Sequence, residues 1–196
     1  MKKVTFKDIF IPTFSLFLIC LIITAALAFT NAVTKDKISE NDENSKQASM
    51  LVVVKDAKTF EEVEDGIFKA LDEDNNVVGY AISTVSNGYG GQIKVMTGIK
   101  DGEILGIDVY YNDDETPGLG KNTSNESFTD GFVGLLSNPD LIVNKDYSGE
   151  GQSVDAVTSA TISSRAVIAA VNEACEKYQS VVFDTAVSDT FAGGEQ

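Results

Sequence analysis

Between Asp155 and Ser164 the chain reads Asp-Ala-Val-Thr-Ser-Ala-Thr-Ile-Ser-Ser, with five hydroxyls in seven residues, on Thr158, Ser159, Thr161, Ser163 and Ser164. An inward-packing helical pattern follows directly. Ser and Thr at a helix start cap its unpaired N–H groups, and one hydroxyl suffices for that. Free N–H groups and the helix dipole also make such a start a phosphate site. A threonine hydroxyl there is placed to be esterified to the phosphate. Two further segments could present a flat ligand. In Glu115-Thr116-Pro117-Gly118-Leu119-Gly120, proline fixes one φ and the glycines permit positive φ. That makes a rigid loop holding out Glu115, Thr116 and Leu119. Asn87-Gly88-Tyr89-Gly90-Gly91 reads either as a flexible hairpin or as backbone bare enough for close approach to a ligand.

Other chemistry is excluded by composition. The 196 residues include no histidine and two cysteines. No Ser-His-Asp or Cys-His pair, no His-ligated zinc or haem and no Cys₄ centre can be built. A formal charge of −15 argues against nucleic acid, which requires a basic surface. The acidic run Asp72–Asn76 fails as a calcium loop, because its sixth and twelfth positions are Val77 and Ser83 rather than Gly and Glu. It reads as a hairpin turn. The chemistry therefore comes from a borrowed group.

The elements that must hold these segments follow a simple order. No charged residue lies between Ile9 and Thr34, and about 20 apolar residues cross a bilayer as a helix. Pro12 falls in the first turns, where a missing N–H is best tolerated. A cleaved signal peptide is the competing reading, through Ala26-Leu27-Ala28, but its apolar core is usually about 7–15 residues. Lys2, Lys3 and Lys7 precede the span, which predicts a cytoplasmic N-terminus. The first 30 residues carry +2, leaving 12 basic and 29 acidic groups beyond them, a balance of −17. Cys20 in the span and Cys175 far beyond it predict no intramolecular disulfide.

Residues 35–50 read as a helical extension or stalk, and Leu51–Asp65 has no clear assignment. Period-two runs follow, with Val78, Tyr80, Ile82 and Thr84 on one face, then Leu105, Ile107, Val109 and Tyr111. They predict a half-buried antiparallel meander. Residues 126–136 read as helix and Leu141–Val143 as strand. A last helix starts near Thr158 and turns Val167, Val171, Ala174 and Tyr178 inward. The predicted fold class is α+β, a single transmembrane helix followed by one extracytoplasmic domain with an antiparallel sheet and flanking helices. Its divisions are 1–8 cytoplasmic, 9–30 transmembrane, 31–65 stalk and approach, 66–184 domain and 185–196 flexible tail.

Taken in order, Gly88-Tyr89-Gly90-Gly91, the Glu115–Gly120 loop and Asp155…Thr158-Ser159-Ala160-Thr161 resemble the FMN-binding domain. That domain occurs in the G subunit of the Rnf electron transport complex and in the C subunit of the sodium-pumping NADH:quinone reductase. The moderate length is closer to the former. The resemblance implies FMN joined through its phosphate to Thr161, with Asp155, Thr158, Ser159 and Ala160 forming the attachment motif. Tyr89, Gly90, Glu115, Thr116, Gly118 and Leu119 would face the flavin. Lys145 reads equally as a contact for flavin or phosphate and as a solvated lysine ending a strand. Ser159 stands where the family usually has glycine; if that position needs positive φ, serine costs about 1 kcal/mol. The implied role is an electron carrier in an ion-translocating ferredoxin:NAD oxidoreductase complex, with other membrane subunits and a flavin transferase as partners. The alternatives are a membrane-anchored binding module never flavinylated and the equivalent subunit of the quinone reductase.

Overall fold

A computed structural model describes residues 6–138, 140–144 and 151–192. It divides into two compact units, Met1–Glu43 and Asn44–Gln196. A single helix, α1 (Phe6–Val53), contributes to both. Its apolar stretch is the one described helix long and apolar enough to cross a membrane, with a window of mean hydropathy 2.5 that is not buried in the protein. Phe10, Phe14, Leu16, Phe17 and Ile19 are all exposed. Two hydroxyls within it are matched by the helix itself: Thr13 Oγ1 donates to Ile9 O at 2.8 Å and Thr30 Oγ1 to Ala26 O at 3.0 Å. Such backbone pairing is what a polar group needs where lipid replaces water. Pro12 lies within the first two turns of α1, where its missing N–H removes a bond to the carbonyl four residues earlier.

The second unit holds a five-stranded antiparallel meander, β1 (Thr59–Glu64), β2 (Ile67–Leu71), β3 (Val77–Asn87), β4 (Gln92–Lys100) and β5 (Glu103–Tyr111), in that spatial order. The sheet thus begins at Thr59, inside the stretch read as stalk and approach. Tight turns join the strands. At the β2–β3 hairpin Asp72 Oδ1 accepts the Asp74 and Asn76 N–H groups, each at 2.8 Å. Hydrogen bonds from Asn76, then from Asp74, hold the Asp72 carboxyl below its ordinary pKa.

The meander is covered on two faces rather than one. Ile67, Ile82, Val95, Ile99 and Val109 pack with α3 (Thr161–Ala192), whose Val167, Val171, Ala174 and Tyr178 are buried as the spacing required. On the other face Met50, Val53 and Val54 pack against Phe68, Ala81 and Met96. Because of this second layer the period-two reading fails at Val78 and Leu105. Ladder irregularities at Ala70/Leu71 and Gly98/Ile99 leave each as an extra residue, and an extra residue turns its side chain over. Val78 consequently packs with the α1 side, while Leu105 stays 38% exposed.

Residues 126–136 are not one helix. A single α-turn, α2 (Glu126–Thr129), passes into a 3₁₀ turn at Asp130–Phe132. Gly134 then takes φ +78°, and the segment bonds to β5 through Ile104 N to Leu135 O and Gly134 N to Ile104 O. Strands β6 (Leu141–Val143) and β7 (Gln152–Val154) form a short parallel pair. Helix α3 continues to Ala192, through much of the segment read as a flexible tail.

Candidate functional site

Helix α3 starts at Thr161, not Thr158, and the cause is local. Ser159 takes φ +61°, a left-handed conformation that cannot continue into a helix. The next residue, Ala160, accepts the first intrahelical bond, from Ser164 N at 2.9 Å. The condition under which serine is costly at this position, positive φ, is therefore met.

The five hydroxyls of this segment have separate fates. Ser164 Oγ accepts the Val157 N–H at 3.0 Å and donates to Ala160 O at 3.0 Å, closing the turn before the helix. Ser163 Oγ donates to Glu115 Oε2 at 2.8 Å. Both serines are buried. Thr158 and Ser159 are exposed, and Thr161 is half-buried.

Glu115 draws the three motifs together. It is 2% exposed. Besides Ser163, its carboxylate accepts the Gly90 N–H through Oε1 at 3.1 Å. One side chain thus bridges the β3–β4 hairpin, its own loop and the first turn of α3. Glycine is needed around it for closeness: a Cβ on Gly88 would strike Glu115 Oε1, and one on Gly120 would strike Oε2. Beside it, Tyr111 Oη donates to Asp114 Oδ2 at 3.2 Å. Burial, then the Asp114 charge, raises the Tyr111 pKa.

These elements wall a cleft of about 410 Å³ lined by Tyr89, Glu115, Thr116, Leu119, Gly120 and residues 159–163. Its rim is apolar and open, with Tyr89 73%, Leu119 40% and Ile162 54% exposed. The first N–H groups of an α-helix lack acceptors within it, and the first turn of α3 brings Ile162 and Ser163 to this wall. An apolar platform beside a helix start suits an aromatic ring system bearing a phosphate.

Of the residues predicted from sequence, the cleft brings together Tyr89, Glu115, Thr116, Leu119, Ser159, Ala160 and Thr161. Gly90 is joined to it through Glu115. Gly118, Asp155 and Thr158 line an adjoining depression of about 500 Å³ that shares Leu119 and Ser159. Asp155 Oδ1 there accepts from Asn144 Nδ2 at 2.6 Å, tying the end of β6 to the approach to α3. Lys145 lies outside the described residues. Gly120, Ile162 and Ser163 were missed as site residues; the step from Thr161 to Ser163 crosses the helix, so spacing alone did not mark them.

Comparison with known proteins fits this geometry. Residues 88–176 match the FMN-binding domain and residues 1–53 the RnfG N-terminal region. The chain is 32% identical over 200 residues to the G subunit of the Na(+)-translocating ferredoxin:NAD(+) oxidoreductase complex of Acetobacterium woodii, covering 91% of this chain and 96% of that protein. It is 31% identical over 191 residues to the G subunit of the proton-translocating ferredoxin:NAD(+) oxidoreductase complex of Clostridium ljungdahlii, covering 96% of each. Among solved structures, the C subunit of the Na(+)-translocating NADH-quinone reductase of Parabacteroides distasonis shares the fold, with a TM-score of 0.57 over 72% of this chain and 93% of that one at 17% identity. The chain belongs to the RnfG family, the G subunits of ion-translocating oxidoreductase complexes.

Proposed function

We propose that this protein is the membrane-anchored, electron-carrying G subunit of an Rnf-type ion-translocating ferredoxin:NAD oxidoreductase, with FMN attached covalently to Thr161. The observation that carries the reading is the placement of Thr161 as the first residue of α3, in the cleft walled by Tyr89, Glu115 and Leu119. Tyr89, Leu119 and Ile162 offer apolar surface to the ring system, and the start of α3 offers N–H groups to the phosphate. Bound there, FMN supplies reversible redox chemistry.

Attachment forms a bond from Thr161 Oγ1 to the phosphorus of an activated flavin nucleotide. The bond broken joins that phosphorus to the other half of a diphosphate, which leaves as a nucleotide, and the hydroxyl proton passes to solvent. A separate flavin transferase would carry this out. Covalency answers an electrostatic problem. The residues beyond the first 30 carry −17, and Arg165 is the only arginine in the chain, so free FMN with its nearly dianionic phosphate is repelled. As a diester the phosphate keeps one charge and cannot dissociate.

Lys2, Lys3 and Lys7, ahead of the apolar span, orient the N-terminus to the cytoplasm, which sets the domain on the opposite side, beside the other subunits of its complex. Substituting Thr161 by Ala in protein made with its transferase should abolish in-gel flavin fluorescence; fluorescence retained in that variant contradicts the reading. A second reading, a fold that is never flavinylated, is favoured by Ser159 at φ +61°. Wild-type protein that stays colourless beside active transferase would establish it.

A further inference from the structure

Five hydroxyls stand within seven residues at the cleft, and attachment at Thr161 requires that the others be passed over. The structure shows how each is set aside. Ser164 is buried and held between Val157 N and Ala160 O. Thr158 lies on the adjoining depression, not in the cleft. Ser159 reaches the cleft from the left-handed residue ahead of the helix, outside the first turn whose N–H groups hold a phosphate. Ser163 is different, because it lines the same cleft as Thr161 and belongs to the same first turn. What removes it is Glu115, which accepts its O–H in a 2.8 Å hydrogen bond and leaves the serine 2% exposed.

We propose that Glu115 is the positioning residue that reserves flavin attachment for Thr161, by holding the Ser163 hydroxyl away from the cleft. This rests on the attachment proposed above. The Glu115 carboxylate is suited to the task because it is anchored from a second side by Gly90 N–H and enclosed where Gly88 and Gly120 leave room only for it. Methionine keeps the length of the side chain and has no oxygen to accept a hydrogen bond. Ser163 Oγ then has no carboxylate to donate to, so in Glu115→Met the serine is free to turn its oxygen toward the cleft. The competing reaction is the same phosphoryl transfer, with a Ser163 Oγ–P bond formed, the same nucleotide lost and the serine proton released.

The full-length protein, co-produced with its flavin transferase, tests this by peptide mapping in a mass spectrometer. Wild type should carry FMN on Thr161. Thr161→Ala should carry none, and Thr161→Ala with Glu115→Met should carry FMN on Ser163, at least about tenfold above the single variant, as expected from loss of one charge-assisted hydrogen bond. A double variant that melts cooperatively yet has no Ser163-linked flavin overturns the proposal. If neither Glu115→Met nor Glu115→Ala melts cooperatively, Glu115 serves the fold rather than selection, and the proposal is again overturned. Wild type without flavin on Thr161 contradicts the attachment itself, whatever Glu115 does.

Discussion

Ser163 Oγ donates to Glu115 Oε2 across 2.8 Å, joining two buried side chains 48 residues apart. The bond fastens the loop after β5 to the start of α3. Ser163→Ala leaves the buried carboxylate short of one donor, and a hydrogen bond to a charged group contributes about 1.5–3 kcal/mol. A loss of that size is expected in urea denaturation. Ser124→Ala, which removes an exposed bond to Lys121 O, should change stability by less than about 0.5 kcal/mol.

Ser159 holds φ +61°, where glycine bears no side-chain penalty. Ser159→Gly is expected to stabilise the domain by about 1 kcal/mol, read as a raised Tm. An unchanged or lowered Tm would show that the serine side chain offsets its own strain.

Gly120→Ala should disrupt the cleft more than its volume suggests. The added Cβ meets Glu115 Oε2 and lies 2.9 Å from Ser163 Oγ, so the Glu115–Ser163 contact must open. Lower stability and slower flavin attachment are expected together, measured by melting and by a time course of flavin incorporation. Gly118→Ala meets no atom and is strained only through its φ of +77°.

Stability should decline in alkali. Burial, reinforced by Asp140 and Glu176, raises the Cys175 thiol from 9.0 to about 12. The folded protein thus retains a proton that the unfolded chain has released. This contribution is complete below about pH 9 and is lost as pH rises toward about 12. Tyr178, raised mainly by burial, acts with the same sign. Denaturation midpoints should fall over that window, and Cys175→Ala should fall less steeply than wild type.

Negative surroundings disfavour added negative charge on a reduced flavin, so the midpoint potential should rise as salt screens them. A redox titration of flavinylated protein at low and high salt measures this; no movement would show that the −17 balance does not act at the cleft.

The meander, the final helix and the cleft-forming loops were legible because each depends on local signals. Alternation marked β3 and β5, the 3- and 4-residue spacing of Val167, Val171, Ala174 and Tyr178 marked α3, and glycine and proline marked the turns. What escaped depends on contacts distant in sequence. The inward turn of Val78 follows from an irregular ladder with β2 and from the end of α1 covering that face. The 126–136 segment left its helix because Gly134 and Leu135 could bond to β5. Glu115 was read as a ligand contact; that it clasps the walls of the cleft was not legible, since Ser163 and Gly90 reach it only in the fold. Ser159 was legible as a departure, but its left-handed φ was not.

The central claim is that Thr161 bears the flavin. The intact mass of wild-type protein produced with its flavin transferase measures this most directly. The expected result is the sequence mass plus one FMN less one water, with the increment absent from Thr161→Ala. A wild type at its bare sequence mass under conditions in which the transferase modifies another substrate, or an increment that survives Thr161→Ala, would contradict it.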